Sequence, residues 1–307
     1  CNSNNINFMA KHGRGLICLA LTSKKVKKLN LPLMSSINKS RTQTAFTISI
    51  EAKKGVTTGI SAHDRAKTIK VAIKPKSNKN SIVSPGHVFP LVAKDGGVLE
   101  RAGHTEASVD ISKLAKLNPS AVICEVMNED GTMARYKNLI IFAKKHRLKI
   151  AKIEDLISYR LRNEKLIKCI SNKKIKIKKF GKFDLKTFKN KLDGSEHYSI
   201  TKGKFSKNKA SRVRVISTNV LNSFFNFNKD IFKSSLKHLN KFNNFALILI
   251  KGSNLHPTSS ENNKILRYYG IGAQIIKDLG IKKMVLVSRS KKKIIGLEGY
   301  GIKISKQ

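Results

Sequence analysis

The 307-residue chain has no tryptophan, six prolines, four cysteines and only 19 acidic residues against 62 Lys+Arg. The cysteines, at 1, 18, 124 and 169, have neither C-x-x-C spacing nor the density of a disulfide scaffold. That argues for a reducing compartment and against structural zinc. Long apolar runs are also missing. Phe245 to Ile250 and Leu139 to Ala143 are among the longest, far short of the roughly 18 residues a spanning helix needs, so no membrane segment is expected. The chain opens on Cys1 with no signal-peptide pattern, so it reads as a fragment or processed product whose targeting segment, if any, lies outside it. With 40% hydrophobic residues it can bury a core, enough for one large or two ordinary domains.

The scarcity of acids gives a formal charge of +43, which points first to nucleic acid, an anionic membrane or an acidic substrate. Nucleic acid is disfavoured because Lys outnumbers Arg 50 to 12 and the Lys runs carry no interleaved aromatics to stack bases. The excess is uneven: residues 1–160 hold 28 basic residues against 11 acids, residues 161–307 hold 34 against 8.

Periodicity is clearer in the first half. Thr44 to Ile50 alternates apolar and polar residues and reads as a half-buried strand, with a second strand at Thr68 to Ile73. Ala121 to Met127 reads as a strand ending at the Asn128-Glu-Asp-Gly turn. Helices are expected over Thr105 to Leu117, Tyr136 to Lys145 and Ile153 to Arg162. Strands and helices in this mixture imply an α/β or α+β domain. Asn172 to Lys182 is a basic linker, the start of the next domain, or an edge strand protected by charge. Asn222 to Asn228 and Ser253 to Asn263 read as loops, Gly270 to Gly280 as a short helix and Met284 to Val287 as a buried strand.

Chemistry concentrates in three segments, Gly86-His87-Val-Phe-Pro, Gly96 to Glu106, and Ile123 to Arg135. Gly103 allows close backbone approach, and the Thr105 hydroxyl, the first-turn amides of the next helix and Arg101 would make a phosphate cradle. His104 at that turn suits a divalent ion. Glu125 at a strand end suits a general base, with His87 assisting proton transfer. The plainer readings stand beside these: a lone histidine is more often an ordinary surface or core residue, and a Gly-His-Thr turn opening a helix is mostly capping.

The segment from Asn7 to Arg160 closely resembles 3,4-dihydroxy-2-butanone 4-phosphate synthase, through H-G-R-G-L-I-C-L at 12–19, T-A-F-T-I-S-I at 44–50, G-V-T-T-G-I-S-A-H-D-R-A-K-T-I at 55–69, P-G-H-V-F-P-L at 85–91, G-G-V-L-E-R-A-G-H-T-E-A-S-V-D at 96–110 and I-C-E-V-M-N-E-D-G-T-M-A-R at 123–135. The resemblance implies conversion of D-ribulose 5-phosphate to the butanone phosphate and formate in riboflavin biosynthesis. It makes His104 a ligand of Mg2+ (or Mn2+), Arg101, Ala102, Gly103, His104, Thr105 and Glu125 substrate contacts, and His87 and Glu125 catalytic. It also implies a homodimer with the active site at the subunit interface, in the cytoplasm or a plastid stroma. Two departures follow from the same comparison. The family's acidic loop, with a second metal-ligating glutamate, would precede Asn7, and Ser84 stands where an arginine is usual.

The second half is similar to GTP cyclohydrolase II, through L-R-Y-Y-G-I-G-A-Q-I-I-K-D-L-G-I-K-K-M at 266–284 and G-L-E-G-Y-G at 296–301. That similarity puts Asn219, Asp230 and Phe232 where three zinc cysteines belong, and phenylalanine cannot bind zinc. Ser288 and Lys293 fit residual nucleotide contacts. The expectation is an α+β synthase domain with a mixed sheet and flanking helices at 1–163, a basic linker or domain start at 164–182, and a degenerate α/β cyclohydrolase-like domain at 183–307. Zinc and cyclohydrolase activity are not expected. The competing reading is an inactive, partner-binding subunit of the pathway.

Overall fold

The computed structural model describes residues 1–39, 44–206, 209–218, 229–251, 261–288 and 301–306. The chain divides into two compact units, Cys1–Leu156 and Ile157–Gln307.

In the first unit, α1 (Ser3–Phe8) and one π-helical turn lead into β1 (Cys18–Thr22), followed by α2 (Ser23–Leu29), β2 (Ile50–Ala52), α3 (Ala62–Ile73), β3 (Ile82–Ala93), α4 (His104–Leu114), β4 (Ser120–Ile123) and α5 (Tyr136–His146). The sheet runs β2-β3-β1-β4, with β1 parallel to β3 and antiparallel to β4. Because strand side chains alternate between faces, β1 serves two cores. Leu19 and Leu21 join Ile6, Val26, Leu29 and Ile69 on one face, while Ala20 meets Ala93 and Val109 on the other. Burial on both faces explains the near-continuous apolar run C-L-A-L. Each fully buried Leu or Ile contributes about 1.5–3 kcal/mol.

Helices stand at 104–114 and 136–146, overlapping the spans the periodicity picks out, and α6 (Ile153–Asn163) covers the third. Two strand expectations are corrected. Thr68 to Ile73 is the second half of α3: Ser61 caps its start by accepting from Asp64 N, and buried Ala66, Ile69 and Ala72 recur at helical spacing. Thr44 to Ile50 is not one strand. It touches β3 through a single bridge at Phe46 and Leu91, pairs Thr47 with Leu33, and becomes regular only at Ile50. Pro90 on the facing strand has no N–H to donate, and only its carbonyl is used, by Thr47 N at 3.0 Å. The strand at 121–127 likewise ends early, at Ile123.

The second unit contains β5 (Ile167–Ile177), β6 (Gly181–Asn190), β7 (Glu196–Lys202), β8 (Ser211–Thr218), α7 (Lys229–Leu239), β9 (Phe245–Lys251), α8 (Glu261–Asp278), β10 (Lys283–Leu286) and β11 (Lys303–Lys306). They form a seven-stranded sheet in the order β11-β10-β8-β9-β7-β6-β5. β11, β10, β8 and β9 run parallel, and β9 through β5 antiparallel. The apolar run Phe245 to Ile250 becomes β9, an interior strand with Phe245 to Ile248 fully buried. Of the alternatives open at 164–182, the charged edge strand is the one found: the stretch holds β5 and the start of β6, and β5 is the sheet edge. Its lysines keep that edge solvated and discourage pairing with another chain. The 270–280 helix is the end of the longer α8, which also takes in Glu261 to Asn263 from the expected 253–263 loop; the rest of that loop, and Asn222 to Asn228, lie outside the described residues.

Two buried polar groups hold this unit together. The Gln274 amide on α8 donates to Leu161 O (2.9 Å) and Glu164 O (2.8 Å) and accepts from Leu166 N (2.8 Å), closing the end of α6 onto β5. Gln274→Ala should lower the unfolding free energy by about 1–3 kcal/mol, because it leaves backbone groups buried without partners; urea denaturation measures this. On β7, His197 is buried, and its Nδ1 accepts from Lys251 N at 3.2 Å. That leaves the proton on Nε2, 3.3 Å from Ser195 Oγ. Burial, partly offset by Asp193, lowers the His197 pKa below its usual value. The unfolded chain therefore binds a proton that the folded one excludes, so stability is full above about pH 6.5 and falls as the pH drops below it. His12, whose pKa is also lowered, acts in the same window, so the readout is a comparison. The loss of urea stability between about pH 7.5 and 5.5 should be smaller in His197→Gln than in the parent protein.

Candidate active site

The site grows from the N-terminal end of β1. Cys18 faces Phe89 on β3 and Ile123 on β4, so His87 and Glu125 each lie two residues beyond the pairing at this end of β1. Glu125 is exposed, and its Oε2 accepts from Leu16 N at 2.9 Å. Gly15 makes this possible, since a Cβ there would lie 2.7 Å from both Glu125 Oε2 and Glu125 O. The strand beyond Glu125 is tied to the same turn by Met127 N donating to Gly13 O at 2.9 Å.

His87 is held from the other flank, with its Nδ1 2.5 Å from Glu51 Oε1. Glu51 was not among the residues the sequence pointed to; its only signal was a lone acid in an apolar strand ahead of a glycine-bearing turn. Asp64 was missed too. It is buried and accepts from Thr57 Oγ1 (2.8 Å) and Gly59 N (3.1 Å), pinning the 57–59 turn to α3. The Thr57 hydroxyl holds the Asp64 carboxyl below the usual carboxylate range.

The 101–105 segment differs in detail from the open cradle its residues suggest. Arg101 Nη1 pairs with buried Glu106 at 2.6 Å and its Nη2 donates to Thr44 Oγ1 at 3.2 Å. Glu106 Oε1 also accepts from Lys94 N at 3.1 Å. Gly103, not Thr105, is the N-cap of α4, and no side chain caps that helix start. An uncapped helix start of this kind suits an anion; Thr105 is buried, Ala102 half-buried and His104 exposed. Among the described residues no hydrogen bond or ion pair joins His104 to His87 or Glu125. Neither nearby cysteine is a nucleophile at neutral pH: burial, then Glu125 and Cys124, pushes Cys18 up to about 12, and burial raises Cys124.

The model of the 3,4-dihydroxy-2-butanone 4-phosphate synthase family matches residues 1–159. The chain belongs to that family. A GTP cyclohydrolase II model matches 168–253 and 233–307. The chain is 43% identical to the riboflavin biosynthesis protein RibBA of Aquifex aeolicus, over 97% of this chain and 80% of that protein. The crystal structure of RibBX, a two-domain synthase from A. baumannii, superposes with a TM-score of 0.85 at 37% identity, covering 100% of this chain and 89% of that one. A synthase structure in complex with two magnesium ions matches with a TM-score of 0.50 at 38% identity, over 53% of this chain and 81% of that one.

Tested against that ion, the synthase unit offers little by itself. Among the described residues no group of three His, Cys, Asp or Glu side chains could hold a metal. A single exposed imidazole is not a magnesium site, because that ion demands an oxygen-rich octahedral shell. In the cyclohydrolase-like unit, Phe232 on α7 is half-buried and packs on the core of Leu236, Leu239 and Phe245. Asp230 lies in the first turn of α7, and Ser288 is exposed just beyond β10. Asn219 and Lys293 fall outside the described residues. No described helix is long and apolar enough to cross a membrane.

Gly15→Ala should push the Glu125 carboxylate off Leu16 N and speed exchange of the Leu16 amide, while circular dichroism stays that of the parent. Hydrogen exchange checks both the contact and its local character.

Proposed function

We propose that this member of the synthase family converts D-ribulose 5-phosphate to 3,4-dihydroxy-2-butanone 4-phosphate and formate, with residues 1–163 carrying the reaction. The observation that carries this reading is the pair of proton-transfer groups fixed at one end of β1, Glu125 by Leu16 N and His87 by Glu51. Enolisation removes a proton from carbon beside a carbonyl and delivers one to oxygen, so it needs a base and an acid on opposite sides of the same atoms. With Oε2 engaged, Glu125 Oε1 is the atom free to take a proton. His87 Nε2, the ring atom facing away from Glu51, is free to give or accept one. The unpaired amides at the start of α4 bind the phosphate, and Arg101, held by Glu106, contributes its charge from a fixed position. Magnesium or manganese supplies Lewis acidity when bound; His104 is the described residue that would meet it, and one imidazole does not hold the ion, so no step here runs through it. The site is completed between two copies of the chain in a homodimer.

The cyclohydrolase-like unit is proposed to lack GTP cyclohydrolase II activity and zinc. Phe232 supports this: its half-buried ring packs against a hydrophobic core where a ligand would be needed, and carbon cannot coordinate zinc. A second reading, an inactive subunit of the pathway, draws on the single imidazole at 104.

The test is formate release from ribulose 5-phosphate with magnesium, by the full-length protein. Turnover is expected, with Glu125→Gln and His87→Asn each lowering kcat by about 100-fold or more. Absence of formate would favour the inactive subunit. GTP with added zinc should release none, and clear turnover there would overturn the second assignment.

A further inference from the structure

The contact between Glu51 and His87 is built with more backbone machinery than a surface ion pair requires. β2 is only three residues long, and its register with β3 jumps from Ile50 opposite Val88 to Glu51 opposite Val83. Ser84 to His87 therefore leave the ladder as a bulge, a device that re-aims side chains beside active sites. Ile50 and Ala52 are buried in the core, so alternation turns Glu51 to the other face, where its side chain keeps 17% exposure. Two close approaches shape the cup around it. Gly59, at φ +83°, lies so tightly on the carboxylate that any Cβ would overlap Glu51 Oε1, and a Cβ on Gly86 would overlap the Ile50 carbonyl. The turn carrying Gly59 is in turn fastened by Asp64.

We infer that Glu51 is a positioning residue for His87, holding the imidazole as the Nδ1–H tautomer with Nε2 presented to the reacting atoms. An ionised carboxylate only accepts hydrogen bonds, so a 2.5 Å contact at Nδ1 puts the proton on that nitrogen and the lone pair on Nε2. The imidazole side chain is 45% exposed, enough for substrate to reach Nε2 while the Glu51 side stays enclosed. Such carboxylate–histidine pairs fix the tautomer and the ring orientation. The inference rests on the reading of His87 as a proton-transfer group.

Two measurements on the full-length protein separate that reading from this inference. In 15N NMR of the His87 imidazole, the parent should show Nδ1 protonated at neutral pH. Glu51→Gln should shift the population towards Nε2–H, because the carboxamide can donate to Nδ1, and Glu51→Asp should keep Nδ1–H. In steady-state kinetics, Glu51→Gln should lower kcat about 10–100-fold with KM changed less than about twofold, and Glu51→Asp should restore part of the rate. An unchanged tautomer and kcat in Glu51→Gln, with His87→Asn inactive, would overturn the role of Glu51 and leave that of His87 standing. Full activity in His87→Asn would overturn His87 as a proton-transfer group, and with it the catalytic role of Glu51. Loss of rate together with a matching rise in KM and no tautomer change would reduce Glu51 to a structural residue.

Discussion

β1 is buried on both faces and hydrogen-bonded on both edges, and the first unit is arranged around that constraint. A five-residue strand so enclosed cannot slip, because a one-residue shift would exchange its two cores. Its parallel neighbour β3 and antiparallel neighbour β4 are therefore held in a single register. That register delivers His87 and Glu125, distant in sequence, to the same end of the sheet. The placement of these two side chains is a consequence of packing several residues away.

Carboxylates do the fastening. In a chain of net charge +43, the few acids of the synthase unit are used where a loop must be tied to a helix or strand. Asp64 takes Gly59 N, Glu106 takes Lys94 N, Asp110 takes Val98 N and Glu125 takes Leu16 N. Hydrogen bonds from backbone amides to charged acceptors are the stronger kind, worth about 1.5–3 kcal/mol, and they define loops that no helix or strand supports. The surplus of lysine plays another part, keeping the exposed edge of the second sheet from pairing. The positive field also favours anionic over neutral ligands.

Much of this was legible in the residues. The helices at 104–114, 136–146 and 153–163 announce themselves by apolar spacing, and the glycine- and histidine-bearing segments mark where chemistry collects. The misreadings have physical causes. T-I-K-V-A-I at 68–73 alternates enough to pass for a strand when cut from the Ser61 cap that begins its helix. The 44–50 segment has a strand's pattern but faces a proline. Arg101 looks like an open phosphate ligand until Glu106, five residues on, proves to be buried against it. Glu51 gave only the signal of a lone acid in an apolar strand, because its contact with His87 comes from a register break between two strands.

Residue spacing and side-chain chemistry alone settled the mixed fold class, the helical segments and, through the motifs, the synthase family. Those properties follow from local spacing and residue chemistry, which a linear chain displays directly. Only the tertiary structure decided that β5 is an edge strand, that Gly103 and not Thr105 opens α4, and that His87 is gripped by Glu51. Each depends on which strand lies beside which and in what register, and that is settled by the burial of a shared core, not by the identity of any neighbouring residue in the chain.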